Sequence, residues 1–128
     1  MKIKTLVAVL LLSGGVTSTF AQTENCNSNS SISHEAVRAG NFKDAYAPCM
    51  AVLKDCPTLR YYTFTDAQKI LVGFLSQIKD RNSADYKKYF DELMDVYDLR
   101  MKYIPEFISK GMKGVPSVAD ALGAKAYC

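Results

Sequence analysis

The residues best able to do chemistry in this chain are four cysteines, Cys26, Cys49, Cys56 and Cys128, and a single histidine, His34. Four thiolates can hold zinc, but structural zinc sites draw their ligands from close pairs and often add histidines. Here the nearest cysteines, Cys49 and Cys56, stand seven positions apart. A redox role calls for a Cys-x-x-Cys pair or a similarly activated thiol, and the sequence shows neither. What remains is disulfide formation, which belongs to an oxidising compartment. His34 as a base would need a nucleophile and an orienting partner; none stands beside it in sequence, so it reads as an exposed residue in the first turn of a short helix. Asp91, Glu92, Asp95 and Asp98 recur on successive turns of one helix, a placement that could serve acid–base work. With Arg100 and Lys102 following, they read instead as a solvated, ion-paired face. Gly111-x-x-Gly114 has neither the lysine nor the strand context of a phosphate loop. The expectation is a protein without catalytic residues, metal or cofactor.

The start of the chain indicates a compartment. Lys2 and Lys4 precede the apolar run Leu6-Val7-Ala8-Val9-Leu10-Leu11-Leu12, and Thr19-Phe20-Ala21 supplies small residues where a signal peptidase reads. Residues 1–21 thus have the pattern of a signal peptide cleaved after Ala21. The run is far shorter than the ~20 residues of a membrane span, and the polar Thr23-Glu24-Asn25 before Cys26 is no lipoprotein box. Cleavage removes two of the 16 Lys+Arg and none of the 13 Asp+Glu, leaving a nearly neutral chain. Its charges alternate in sign, as in Lys79-Asp80-Arg81, unlike the clustered basic face of a nucleic-acid binder. All four cysteines fall after the cleavage point, so a periplasmic or secreted protein with at least one disulfide is expected.

Periodicity places these residues on helices. Residues 22–30 are polar and lack a hydrophobic period, so they read as a flexible lead-in to a helical domain over 31–128. A first helix is expected over about 31–39, capped by Ser31 or Ser33, with Ile32, Ala36 and Ala39 on its apolar face. Gly40-Asn41 ends it. A second helix spans about 42–55 and carries Phe42, Ala45, Cys49 and Val52 at helical spacing, with Tyr46 and Leu53 beside them; Pro48 bends it and Pro57 stops it. A third covers roughly 59–79 on Ala67, Ile70, Leu71, Phe74 and Ile78. A fourth, capped by Ser83, runs from about 84 to 104 on Phe90, Leu93, Tyr97, Met101 and Ile104, with Pro105 as its stop. A last short helix follows Ser117, with Val118, Ala121 and Leu122 on one face. No strand-like alternation occurs, so the expected fold is all-α, built of antiparallel helical hairpins.

The first hairpin has a more specific pattern. Gly40, Phe42, Ala45, Val52 and Pro57 follow one another at 2, 3, 7 and 5 residues. This resembles the second half of a tetratricopeptide repeat: glycine at the turn, an aromatic, a small residue, a second small residue (here Val52) and a closing proline. The preceding half fits only at Ile32. The string Asn41-Phe42-Lys43-Asp44-Ala45-Tyr46-Ala47-Pro48, closing at Asp55-Cys56-Pro57, is similar to the opening repeat of exported tetratricopeptide-like proteins of Gram-negative bacteria. Those tend to carry Trp where this chain has Cys49. The resemblance covers about residues 22–128 and implies a fragment of an α-solenoid in the cell envelope that binds other proteins.

Hairpin geometry then sorts the thiols. In a hairpin turning at Gly40-Asn41, position 26 lies opposite about position 55, which makes Cys26 and Cys56 natural partners. Cys49 and Cys56, on one helix, sit ~10.5 Å apart along its axis, beyond the ~7 Å reach of a disulfide. Cys49 and Cys128 can pair, stay free or cross-link two chains into a homodimer. The other surplus is tyrosine: eight tyrosines and no tryptophan. Tyrosines favour binding surfaces because they join apolar area to a polar tip, and Tyr62, Tyr86 and Tyr89 are the expected contacts for a protein or peptide partner. The alternative is a small secreted helical effector or apolar-ligand carrier acting without a stable partner, which predicts a closed apolar pocket between the long helices.

Overall fold

The computed structural model describes residues 24–126, and this part of the chain is all-helical. Five helices follow one another: α1 over residues 24–38, α2 Phe42–Asp55, α3 Tyr62–Gln77, α4 Ala84–Ser109 and α5 Val118–Ala126. α2 packs on α3, α3 on α4, and α4 on α5, as antiparallel neighbours joined by short turns. The expected signal peptide and Cys128 lie outside the described residues.

The start of α1 corrects the expected lead-in: the chain is already helical from residue 24. The buried face of α1 is Cys26, Ser30, Ser33 and Val37, spaced 4, 3 and 4, a helical period written mostly in small polar residues. Ile32 and Ala39, expected in the core, face solvent, Ile32 at 54% exposure. Ser31 and Ser33 lie within the helix rather than capping it, and Ser33 Oγ donates to the Ser30 carbonyl. The helix closes as expected at Gly40. With φ at 75°, Gly40 places its own N–H on the Val37 carbonyl and the Asn41 N–H on that of Ala36, a left-handed C-cap that glycine adopts without Cβ strain.

Cys26 and Cys56 form a disulfide, with their Cα atoms 6.3 Å apart. α2 runs through Pro48 and ends before Pro57, where the Cys56 N–H bonds the Val52 carbonyl. Ala45, Cys49, Val52 and Leu53 are buried. Phe42 packs against Gly73 of α3, where an added Cβ would lie 2.5 Å from the ring. The caps at Ser83 and Ser117 form as expected, accepting from the N–H groups of Tyr86 and Asp120.

Pro105 does not stop α4, which continues to Ser109. The proline lies on the exposed side, while the next turn carries the fully buried Phe107. Phe107 meets Tyr61 and Phe64 edge-on, with ring centroids 5.4 and 6.0 Å away. Burying such a ring contributes ~1.5–3 kcal/mol, comparable to the ~3 kcal/mol that proline costs inside a helix. α5 buries only Ala121; Val118 and Leu122, expected beside it, are exposed.

Two outcomes follow from this packing. Gly73→Ala should destabilise the fold by ~1–3 kcal/mol through overpacking against Phe42, although alanine is the better helix former by ~1 kcal/mol; urea unfolding measures the balance. Replacing Cys26 and Cys56 together by serine should lower stability by about 3.5 kcal/mol in the chain-entropy account of a disulfide closing ~30 residues, with amide exchange fastest over residues 24–30.

Candidate functional site

A polar seam joins α1 to α3. Asp66 is only 2% exposed, and His34 Nδ1 donates to its Oδ2 at 2.7 Å. The Tyr62 ring stacks on His34 at 3.9 Å, nearly parallel. The Tyr62 hydroxyl lies 3.1 Å from Ser30 Oγ, which also accepts from Arg60 Nη1 at 3.1 Å. His34 is therefore half-buried and oriented by a carboxylate, not the exposed residue expected from sequence. Burial pushes the Asp66 carboxyl above the usual carboxylate range, while His34 and then Lys69 pull it back. Below the seam, the Cys49 thiol is fully buried and unpaired, donates to the Thr63 carbonyl at 3.6 Å, and is pushed up to about 12 by burial and then by Asp66. Such a thiol is neither a thiolate nucleophile nor placed to cross-link two chains. The seam docks one helix on another.

The tyrosines divide between packing and surface. Tyr46 of α2 donates its hydroxyl to both carboxylate oxygens of Glu92 in α4, at 2.7 and 2.8 Å. Arg100 Nε donates to the Tyr61 hydroxyl at 2.6 Å and Nη1 to Gln68 Oε1 at 3.3 Å, tying α4 to α3. The expected acidic face of α4 is thus only partly ion-paired, with Lys87 on Asp91 and Lys125 on Asp98. Of the three tyrosines expected to contact a partner, Tyr62 belongs to the α1–α3 seam. Tyr89 packs between Phe74 and Tyr46, with centroids 5.0 and 6.0 Å away. Tyr86 alone of the three lines a surface hollow that Phe90 and Leu93 share. The structure does not bring them together: Tyr62 opens α3, and the other two lie near the start of α4, at the opposite end of the antiparallel pair.

That hollow lies between the end of α3 and the start of α4. It has a volume of about 440 Å³ and is open to solvent. Val72, Leu75 and Ile78 form one wall and Tyr86, Phe90 and Leu93 the other. Val72 is 45% exposed. The Tyr86 and Phe90 rings lie nearly parallel, 6.5 Å apart. Lys79 and Arg81 stand at the rim without an ion-pair partner among the described residues, and the hollow continues past Asn82 to Lys87. No carboxylate lines either part. A second open hollow, between α2 and α4, has Leu53, Val96 and Leu99 on its floor but mixes Lys54 with Glu92 and Asp95. Sequence periodicity had assigned Phe90 and Ile78 to the core. Both are half-buried and line the hollow instead, with Ile78 just past the end of α3.

Among the described residues, no cluster of three or more His, Cys, Asp or Glu could hold a metal ion, and no helix is long and apolar enough to cross a membrane. The intramolecular disulfide fits an extracellular or periplasmic protein. No family model, curated protein or solved structure matches the chain.

The seam generates a pH dependence of stability. Because the folded Asp66 carboxyl titrates above its unfolded value, folding favours its protonated form. That contribution is fully present below the unfolded value of ~3.9 and is lost as pH rises through the raised folded value. Asp66→Asn keeps an acceptor for His34 and removes the charge, so urea unfolding across a pH series should lose this decline; a decline that persists would place its origin elsewhere.

Proposed function

We propose that this protein is an exported binding module of the cell envelope, which docks a protein or peptide partner in the hollow between α3 and α4. The observation that carries the reading is that hollow itself: an open depression walled by six apolar side chains, beside two cations that have no ion-pair partner among the described residues. Five of the six are partly or fully exposed and sit over the buried Leu93, a clustering that suits an interaction surface. Tyr86 is the sequence-expected contact that serves it. Tyr62 and Tyr89 are engaged within the fold and act as supports.

Two further features agree with this reading. The first hairpin holds the residues of the tetratricopeptide-like pattern in roles that suit a helical repeat: Gly40 at the left-handed turn, Ala45 and Val52 fully buried, Phe42 on the next helix. The disulfide fits the oxidising space outside the cytoplasm. The rival reading, a solitary effector or carrier of an apolar ligand, asks for an enclosed chamber between the long helices. Carrier sites bury most of their ligand's surface, and the hollow between α3 and α4 is open.

A cross-linking pull-down tests the proposal, with the chain from residue 22 onward as bait and the envelope fraction of the source cell as prey. The expected outcome is one recurrent protein that Tyr86→Ala no longer captures, with circular dichroism and melting unchanged in the variant. A blank capture, with the bait a folded monomer by sedimentation, would move the weight to the solitary effector or carrier.

A further inference from the structure

We infer that the α3–α4 hollow receives an acidic amphipathic helix of a partner protein. The inference rests on the binding-module reading and adds the chemistry of the occupant. On the α4 wall, Tyr86, Phe90 and Leu93 stand at i, i+4 and i+7, so they cover ~10.5 Å of helix, about two turns. On the facing wall, Val72 and Leu75 stand at i and i+3 near the end of α3, and Ile78 follows just past it. A hollow two turns long suits two or three apolar anchors from one face of a third helix.

The form of the walls argues against an added strand. Apart from Ile78 they are helical, with backbone groups that bond internally, and strand addition needs a free sheet edge. Recognition must therefore come from side chains, as in helix-in-groove docking. Openness argues against a small apolar molecule, which would stay largely wetted; a helix brings its own cover on its outer face.

Charge selects the kind of helix. Lys79 and Arg81 flank the apolar walls with no ion-pair partner among the described residues, and Lys87 lies beyond them, held by Asp91 at 2.8 Å. The nearest carboxylate in sequence, Asp80, accepts from the Asn82 N–H at 2.9 Å in the turn and does not line the hollow. A partner with carboxylates beside its apolar face would pair with these cations at the rim, where such contacts raise the association rate and reject basic competitors. The α2–α4 hollow, with charges of both signs, selects no such partner.

The test uses two synthetic helical peptides with leucines at i, i+4 and i+7, one with glutamates flanking that face and one with lysines. Each is titrated into the full exported chain by fluorescence anisotropy. The glutamate peptide should bind at least about tenfold more tightly and weaken with salt. In Lys79→Glu/Arg81→Glu, two exposed positions, the preference should reverse while the circular dichroism spectrum stays the same. Equal binding of the two peptides, tighter binding of the lysine peptide, an unreversed preference, or binding of a single-stranded oligonucleotide in their place overturns the inference. Failure of both peptides overturns it too. If the envelope partner is still captured and still lost on Tyr86→Ala, the binding-module reading survives and only the acidic helix fails; if the capture is also blank, both fail.

Discussion

The docking of α1 is the constraint on which the rest of this structure depends. A helix whose buried face is Cys26, Ser30, Ser33 and Val37 removes little apolar surface from water, so the hydrophobic effect alone would hold it weakly. Two devices compensate. The disulfide fixes its first turn to the end of α2, and the His34–Asp66 hydrogen bond fixes its middle to α3. Each covers a different cost: the covalent link restricts the unfolded chain, and the histidine supplies the partner without which a buried carboxylate would be expensive. With α1 in place, α3 can carry Asp66, Thr63 and Cys49's carbonyl acceptor in an interior that water does not reach. Without it, that face of α3 would be a poor surface for anything else to pack on.

The same economy of apolar material explains what could be read from the sequence and what could not. α2, with Ala45, Cys49, Val52 and Leu53 inward, follows an ordinary hydrophobic period and lies where the period places it. The Gly40 turn and the Ser83 cap depend on local chemistry and were legible for that reason. The disulfide was legible because hairpin geometry is arithmetic once the turn is known. α1 was misjudged because its period is in side-chain size rather than hydrophobicity; Ile32, the most apolar residue there, is the one that faces solvent. His34 and Asp66 are 32 positions apart, so no local signal joined them. Pro105 was read as a stop because the cost of a proline is local, while the gain from burying Phe107 against Tyr61 and Phe64 is tertiary.

Tyrosine shows how a compositional surplus can serve two ends. Tyr46, Tyr61 and Tyr62 each reach across to another helix and place a hydroxyl on a polar partner, so they tie α2 to α4, α3 to α4 and α3 to α1. Tyr97 is in the core. A small domain without tryptophan gains from a residue that fills space and still satisfies a buried polar group. Tyr46, Tyr61, Tyr62, Tyr89 and Tyr97 are thereby accounted for inside the fold, while Tyr86 and Tyr103 line open hollows.

The staples and the hollow lie at opposite ends of the helix array. Cys26, Cys56, Tyr61 and Phe107 gather where α3 begins and α4 ends. Val72, Ile78, Tyr86 and Phe90 gather where α3 ends and α4 begins. The first end is fixed by a covalent bond and interlocked rings; the second is held by the Ser83 cap, by Phe42 on Gly73 and by Tyr89 between Phe74 and Tyr46. Local stability in a protein need not be uniform, and ligand-binding regions are drawn from its less stable parts. Here the covalent staple serves the end where α3 begins and α4 ends, and the opposite end relies on packing and a cap. Exposed positions such as Val72, Lys79 and Arg81 take no part in either set of contacts, so the stability of the fold constrains them little.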